Sequence, residues 1–379
     1  MNAMPKRKSE WSSEVLGRFV IGFEGARVTQ ELEALLQGGI AGVAVFPRNY
    51  RSVEDLRALT AEIRCAAGRP VLIGMDQEGG GTRFALGAPF TIWPSAAALG
   101  RVGDAALVEQ IACAMGRELR DAGANLDFAP MLDLHVQAES PITRVRSFGA
   151  EPELVARMGV AFARGLRAGG VLACAKHFPG HGDTRTDPHL DLPAFSGTLE
   201  RLEAAELIPF SAAIADSVPM MMTAHILLPN VDAGGRPASL SRRMLTGILR
   251  ERMGFQGVIL ADDLGMGAIA KHFSAGQAAV EAIAAGADLA MICHDGAAIG
   301  PAIDAVARGL EAGRFDAREW KAARERIERV RAAAEAGDVT EAGAEAAAHT
   351  SSAAGGVIGC AEHRALAATA FRRAREFQN

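Results

Sequence analysis

Cysteine is scarce in this chain and follows no pairing pattern. The five cysteines among 379 residues, Cys65, Cys113, Cys174, Cys293 and Cys360, are odd in number, widely spread and set mostly among apolar residues. That spacing suits neither a disulfide framework nor a zinc site, and predicts buried thiols in a reducing compartment. Aromatic residues are also few, at 5% with a single tyrosine, so helices and sheet must pack through Ala, Gly and aliphatic side chains. No apolar run approaches the ~20 residues that cross a bilayer, so no membrane partner is expected. The opening residues are polar and lack the apolar core of a signal peptide. No block of Lys and Arg occurs and the net charge is only −5, which argues against nucleic acid as a partner. The glycine-rich pieces match neither a dinucleotide fingerprint nor a P-loop. What remains is a cytoplasmic protein acting on a small molecule.

Short β-rich runs alternate with amphipathic Ala/Leu/Arg-rich stretches. Candidate strands are 17–24, 42–46, 71–76, 124–130, 170–176, 218–225, 257–262 and 287–293, and helices are predicted at 52–67, 104–122, 151–169, 198–216, 240–253 and 274–285. The strands are apolar on both faces, as buried parallel strands are. Eightfold strand–helix alternation predicts an α/β chain folded as a single (β/α)8 TIM-like barrel. Residues 1–10 are expected to be disordered and 11–337 to form the barrel, with 338–379 as a C-terminal extension. Within these, 317–337 reads as a solvated outer helix, 338–356 as a mobile stretch and 361–376 as a final helix packed on the barrel.

Polar residues recur where the strands end: Glu24, Arg48, Asp76, Asp127, Lys176 with His177, His225, Asp262 and His294. A barrel gathers those ends at one face, where its active site lies. Asp127, just before Pro130, reads as a loop anchor. The densest group is Lys176-His-Phe-Pro-Gly-His-Gly-Asp-Thr-Arg-Thr-Asp-Pro-His189, with three histidines, two aspartates and a lysine. Its glycines and prolines make it a loop after a buried strand. Asp187 and His189 are two apart in an extended stretch, so the carboxylate can orient the imidazole as a proton shuttle; the alternative is a solvated loop pair. Asp262 at a strand end can be nucleophile, base or metal ligand, with Asp263 capping a helix that begins near Leu264. Lys176 and Arg146 read either as binders of polar substrate groups or as salt-bridge partners that pin loops. Ionised Asp76 can accept two sugar hydroxyls. His177, His181, Asp183, Asp187 and His189 also permit a metal-cluster reading.

These pieces resemble, in order over nearly the whole chain, glycoside hydrolase family 3, and in particular its single-domain β-N-acetylglucosaminidase branch. The matching segments are Phe46-Pro-Arg-Asn49, Asp76-Gln-Glu-Gly-Gly80, Pro94-Ser95, Leu99-Gly100, Asn125 through Asp133 and Arg146-Ser-Phe-Gly149. Lys176 through Thr184, Asp187 with His189, Met222-Thr-Ala-His225, Pro237-Ala-Ser-Leu-Ser241, Ala261-Asp-Asp-Leu264 and Ala285-Gly-Ala-Asp288 complete the set. The resemblance implies that Asp262 is the nucleophile, His189 the acid/base and Asp187 its partner. It further implies that Asp76, Arg146, Lys176 and His177 bind the terminal N-acetylglucosamine, with no metal or cofactor. The implied substrate is a GlcNAc-containing muropeptide or disaccharide from peptidoglycan. A phosphorylase, a β-glucosidase and a non-catalytic sugar-binding barrel are the rival readings. The chain departs from the family pattern at Gly81-Thr82, at Pro188 between the dyad members and at Gly265-Met-Gly267.

Overall fold

Side-chain parity along eight short strands divides the apolar residues into two sets. The strands are β1 (Phe19–Ile21), β2 (Gly42–Ala44), β3 (Leu72–Met75), β4 (Leu126–Asp127), β5 (Leu172–Phe178), β6 (Met220–Thr223), β7 (Val258–Ala261) and β8 (Leu289–Ile292). All pair in parallel in chain order, and β1 closes on β8 with Val20 opposite Met291. One set, including Val20, Leu72, Leu126, Cys174, Met220 and Leu260, fills the barrel interior. The alternate set, including Phe19, Ile21, Ile73, Met221, Ile259 and Ile292, packs outward under the helices. This double burial is why the strands read as continuous apolar runs. The structure is a computed structural model that describes residues 11–81, 84–182, 184, 192–337 and 356–377. The barrel is the (β/α)8 architecture expected from the sequence.

Glycine has a steric role at one interior position. A Cβ on Gly74 of β3 would lie 2.4 Å from the Phe128 ring, so the missing side chain lets that ring enter the barrel. Helix starts follow their caps: Ser52 accepts from Asp55 N at the head of Val53–Ala67, and Asp104 from Leu107 N at the head of Ala105–Asp121. Among the described residues no helix is long and apolar enough to cross a membrane.

Several expectations are corrected. The stretch 198–216 is two helices, Leu199–Ala204 and Leu207–Ala215. Pro209 explains the break, because its ring clashes with a helical carbonyl four residues back, at Ala205. The stretch 240–253 gives a 3₁₀ turn, Ala238–Leu240, followed by a wider, π-type helix, Arg243–Arg252. Two shorter helices, Gln30–Gly38 and Ala96–Val102, went unpredicted. Of the cysteines, only Cys174 and Cys293 are buried; Cys65 is exposed, and all five are free thiols. Residues 1–10 and all of 338–356 except Gly356 lie outside the described residues.

The main correction concerns Ala317–Ala336, which is not a solvated helix. Its Trp320, Ala323, Ile327, Val330 and Ala334 are buried, and the last three of the five join the barrel-interior cluster. Arg/Glu richness belongs to the helix's other faces. Polar ties hold it where the strands begin. The Arg18 guanidinium lies 4.0 Å from the centre of the Trp320 ring and donates to the Trp320 and Asp288 carbonyls. Buried Asp288 accepts from Ile259 N and pairs with both Arg250 and Arg326. The helix therefore plugs the end of the barrel where the strands begin. Ile327→Ala is expected to cost about 2–5 kcal/mol of stability. Urea unfolding should register that loss while kcat at the opposite face stays near wild type.

Candidate active site

At the C-terminal ends of the strands a cavity of about 340 Å³ opens, lined by Asp76, Arg146, Lys176, His177, His181, Asp262, Asp263 and His294 among others. Its floor is apolar: Phe128, Met222, Met291 and Cys293 continue the barrel-interior cluster upward. Phe46, Phe84, Pro141, Ile142, Val145 and Met266 form much of the wall.

An ion-pair network spans the ends of β3 and β5. Lys176 Nζ lies 2.8 Å from Asp76 Oδ1 and 2.6 Å from Glu78 Oε1. Arg146 grips the same Glu78 with two parallel bonds, Nε to Oε2 and Nη2 to Oε1, each 2.7 Å. Its guanidinium also lies over the Phe84 ring, 4.0 Å from the centroid. Burial alone would neutralise Glu78, but the two cations bring its carboxyl down to about 2. Burial likewise opposes the charge on Lys176, and Asp76 and Glu78 override it, holding the ammonium above its usual range. Arg146 is raised by Glu78 against the same burial. Lys176 and Arg146 thus make the salt bridges expected of them, and both also line the cavity.

A second hub is Asp133. After β4, Met131 bridges to Lys176 and Leu132 N donates to the Lys176 carbonyl at 2.6 Å, which brings Asp133 beneath the end of β5. There its carboxylate meets His177 Nδ1 at 2.7 Å and accepts from His181 N, also at 2.7 Å. Burial would raise Asp133, but His177 lowers it to about 2. Lys176 and His177, joined by a cis peptide bond, both line the cavity. His181 is buried against Thr184, and burial depresses its imidazole to about 4, so it is neutral at pH 7.

The two adjacent aspartates after β7 differ in occupation. Asp262 Oδ1 accepts from Asp263 N at 2.8 Å. Burial would raise its pKa, yet His225, His177 and that N–H bond, with Lys176, hold it below the usual carboxylate range. Asp262 is thus an ionised carboxylate in the cavity. The Asp263 carboxylate also borders the cavity, but it is engaged structurally. It accepts from Gly265 N and Cys293 N, each at 2.9 Å, and pairs with His294 Nδ1. It ties β7 to β8 and does not cap a helix at Leu264; the next helix is Gly267–Ala270. His225 lies beneath, bonded to Ser239 Oγ and the Asp263 carbonyl.

Other polar strand ends do not reach the cavity. Glu24 pairs with Arg48 at 2.9 Å, and Arg48 donates to the Phe23 and Cys293 carbonyls. Asp127 is fully buried and accepts from Gln77 N at 2.9 Å, the loop anchor expected of it. Burial raises its pKa well above the usual carboxylate range. Asp187 and His189 lie outside the described residues. Among the described residues no group of three His, Cys, Asp or Glu is arranged to hold a metal. Sequence reasoning gave no role to Glu78 or Asp133, although both stood inside quoted motifs. Glu78, two residues past Asp76 and next to a glycine pair, is the one whose position carried a signal.

A family model described as the glycosyl hydrolase family 3 N terminal domain matches residues 17–330. The chain belongs to glycosyl hydrolase family 3. It is 37% identical over 297 residues to a beta-hexosaminidase of Alkalilimnicola ehrlichii, covering 76% of this chain and 84% of that one. A family 3 beta-N-acetylglucosaminidase structure from a Paenibacillus species superposes with a TM-score of 0.88 at 36% identity, covering 96% of this chain and 68% of that one. NagZ from Neisseria gonorrhoeae, solved with N-trifluoroacetyl-D-glucosamine, gives 0.71 at 32% identity, with 88% and 96% covered. Membership of family 3 makes this chain a glycoside hydrolase.

Glu78 neutralises two buried cations, so Glu78→Ala is expected to cost about 3–5 kcal/mol. Because the folded pKa values of Glu78 and Asp133 are depressed to about 2, their stabilisation is complete above the ordinary carboxylate pKa. It is lost as pH falls toward about 2. Melting temperature measured from pH 6 to pH 3 should accordingly fall less steeply for Glu78→Ala than for wild type.

Proposed function

We propose that this protein is a cytoplasmic, retaining exo-β-N-acetylglucosaminidase. It removes the non-reducing terminal N-acetylglucosamine from peptidoglycan fragments such as GlcNAc–anhydro-MurNAc, with or without a peptide. The observation that carries the reading is the buried, ionised Asp262, set in one cavity with Asp76, Arg146 and Lys176. A nucleophilic carboxylate must be charged, close to the anomeric carbon and not already bonded to other donors. Asp262 meets these needs better than Asp263, whose carboxylate holds two backbone N–H groups and His294. The names of the relatives support N-acetylhexosamine as the sugar. The cavity lies at the small end of ligand sites, which suits a terminal residue better than a polymer.

In this reading Asp76 accepts sugar hydroxyls while Lys176, Arg146 and His177 orient the ring. Asp262 attacks the anomeric carbon, and the glycosidic bond breaks as His189 gives its proton to the leaving oxygen. His189 then takes a proton from water, and the resulting hydroxide releases the sugar from Asp262 with overall retention. Asp187 stabilises the imidazolium that His189 is before the first step and becomes again when it takes the proton from water in the second. The assignment of His189 and Asp187 rests on the sequence resemblance.

Asp262→Ala is expected to abolish turnover, and a slow fluorinated N-acetylglucosaminyl donor to label Asp262. Peptide mass spectrometry finding the label on Asp263 would reject the assignment. For His189→Ala, a substrate with a poor leaving group should lose roughly 10²–10⁴-fold in kcat/KM. A p-nitrophenyl glycoside, which needs little protonation to depart, should lose far less. Equal losses on both would remove His189 from the acid role, and release of sugar-1-phosphate in phosphate buffer would replace hydrolysis with phosphorolysis.

A further inference from the structure

A second buried polar cluster lies between the barrel and the C-terminal helix, Ala361–Glu376, away from the cavity. Its centre is Glu118, 1% exposed, on Ala105–Asp121. Thr91 donates to it twice, from N to Oε2 at 3.1 Å and from Oγ1 to Oε1 at 2.6 Å. The C-terminal segment engages it from the other side, with Gly359 N and His363 Nδ1 each 2.9 Å from Oε1. A carboxylate accepts only, so Nδ1 carries the proton in that bond. A single buried acceptor thus joins two segments far apart in sequence. Packing alone needs no such group, and a buried carboxylate is costly unless its bonds are made.

The cluster continues toward the cavity through backbone. Gly80 N donates to the Trp93 carbonyl at 3.0 Å. A Cβ on Gly79 would lie 2.7 Å from the Pro94 carbonyl oxygen, and one on Gly80 would lie 2.8 Å from Ser95 Cβ. Glu78, which pairs with Lys176 and Arg146, immediately precedes these glycines. Gly359 is pressed on the same loop from outside: its φ is +60°, and a Cβ would lie 2.2 Å from the Pro89 carbonyl oxygen.

We infer that Glu118 and His363 are positioning residues for sugar binding. They clamp the C-terminal helix to the segment around Thr91, and that segment holds the turn carrying Asp76 and Glu78 in its receptive geometry. The inference rests on the proposed role of Asp76 in binding the sugar. It makes the docking of the C-terminal helix a determinant of sugar affinity, separate from the chemical step.

The test uses the full chain with His363→Ala, and with His363→Asn, whose amide nitrogen can replace Nδ1. On p-nitrophenyl β-N-acetylglucosaminide, His363→Ala is expected to raise KM about tenfold, the loss of one bond to a charged group, with kcat within about twofold. His363→Asn should recover most of the KM. Hydrogen exchange over 78–95 should quicken in His363→Ala and not over β6–β8. Wild-type KM and exchange in a folded His363→Ala protein would overturn the inference. So would parallel losses of kcat and KM that Asn fails to rescue, since those mark general destabilisation. If His363→Ala does not fold, Thr91→Val removes the Oγ1 bond alone and should show the same KM effect in smaller degree. Should the wild-type enzyme not cleave this glycoside, the functional reading fails; the exchange comparison then decides the clamp by itself, faster exchange supporting it and unchanged exchange overturning it.

Discussion

Lys176 and Arg146 have side chains too deeply buried for both to remain charged unless a carboxylate sits between them. Glu78 is that carboxylate, and its three short contacts set where both cations point. Because Lys176 lies near the end of β5 and Arg146 in the loop after β4, one side chain fixes three segments relative to one another. Asp133 does the same one step further along the chain, holding His177 and the start of the following loop. The site is therefore organised by acceptors that do not themselves border the cavity. Burial works against both charges, and the groups these acceptors position, Lys176 and Arg146 for Glu78 and His177 for Asp133, offset it, so the members of the network depend on one another.

Much of this was legible in the sequence, and the reasons are specific. Eight apolar runs separated by amphipathic stretches announce a parallel barrel, since only strands covered on both faces lack alternation. A barrel in turn brings the strand-end residues Asp76, Lys176, His177 and Asp262 to one face, as observed. Pairings across that face were not legible. Glu78 precedes Lys176 by 98 residues and Asp133 precedes His177 by 44, and neither spacing nor periodicity connects them. Ala317–Ala336 reads as solvated because half of its residues are charged and most of its apolar ones are alanine, yet a narrow buried stripe of five residues suffices to plug a barrel. The break at Ala205 was visible in Pro209, but overall amphipathicity masked it.

The Asp262-Asp263 pair shows how a fold separates chemically identical neighbours. One carboxylate accepts two backbone N–H groups and a histidine, fixing the ends of β7 and β8. The other receives a single backbone bond from its own neighbour and keeps its charge through the electrostatics of two histidines and a lysine. Strand geometry supplies the difference, because successive residues leave a strand in different directions.

The plug formed by Ala317–Ala336 also governs traffic. Among the described residues, Ile327, Val330 and Ala334 are continuous with the side chains that floor the cavity and fill the rear of the barrel. Whatever enters by the mouth must leave by it, and in reverse order. Under the proposed exo reading, a bound sugar would stand behind the group it was attached to, and the outer fragment would have to clear the doorway before solvent could reach the inner one. Occupancy of that doorway by a spent fragment would hold the enzyme idle, coupling its throughput to how fast the surroundings carry that fragment away.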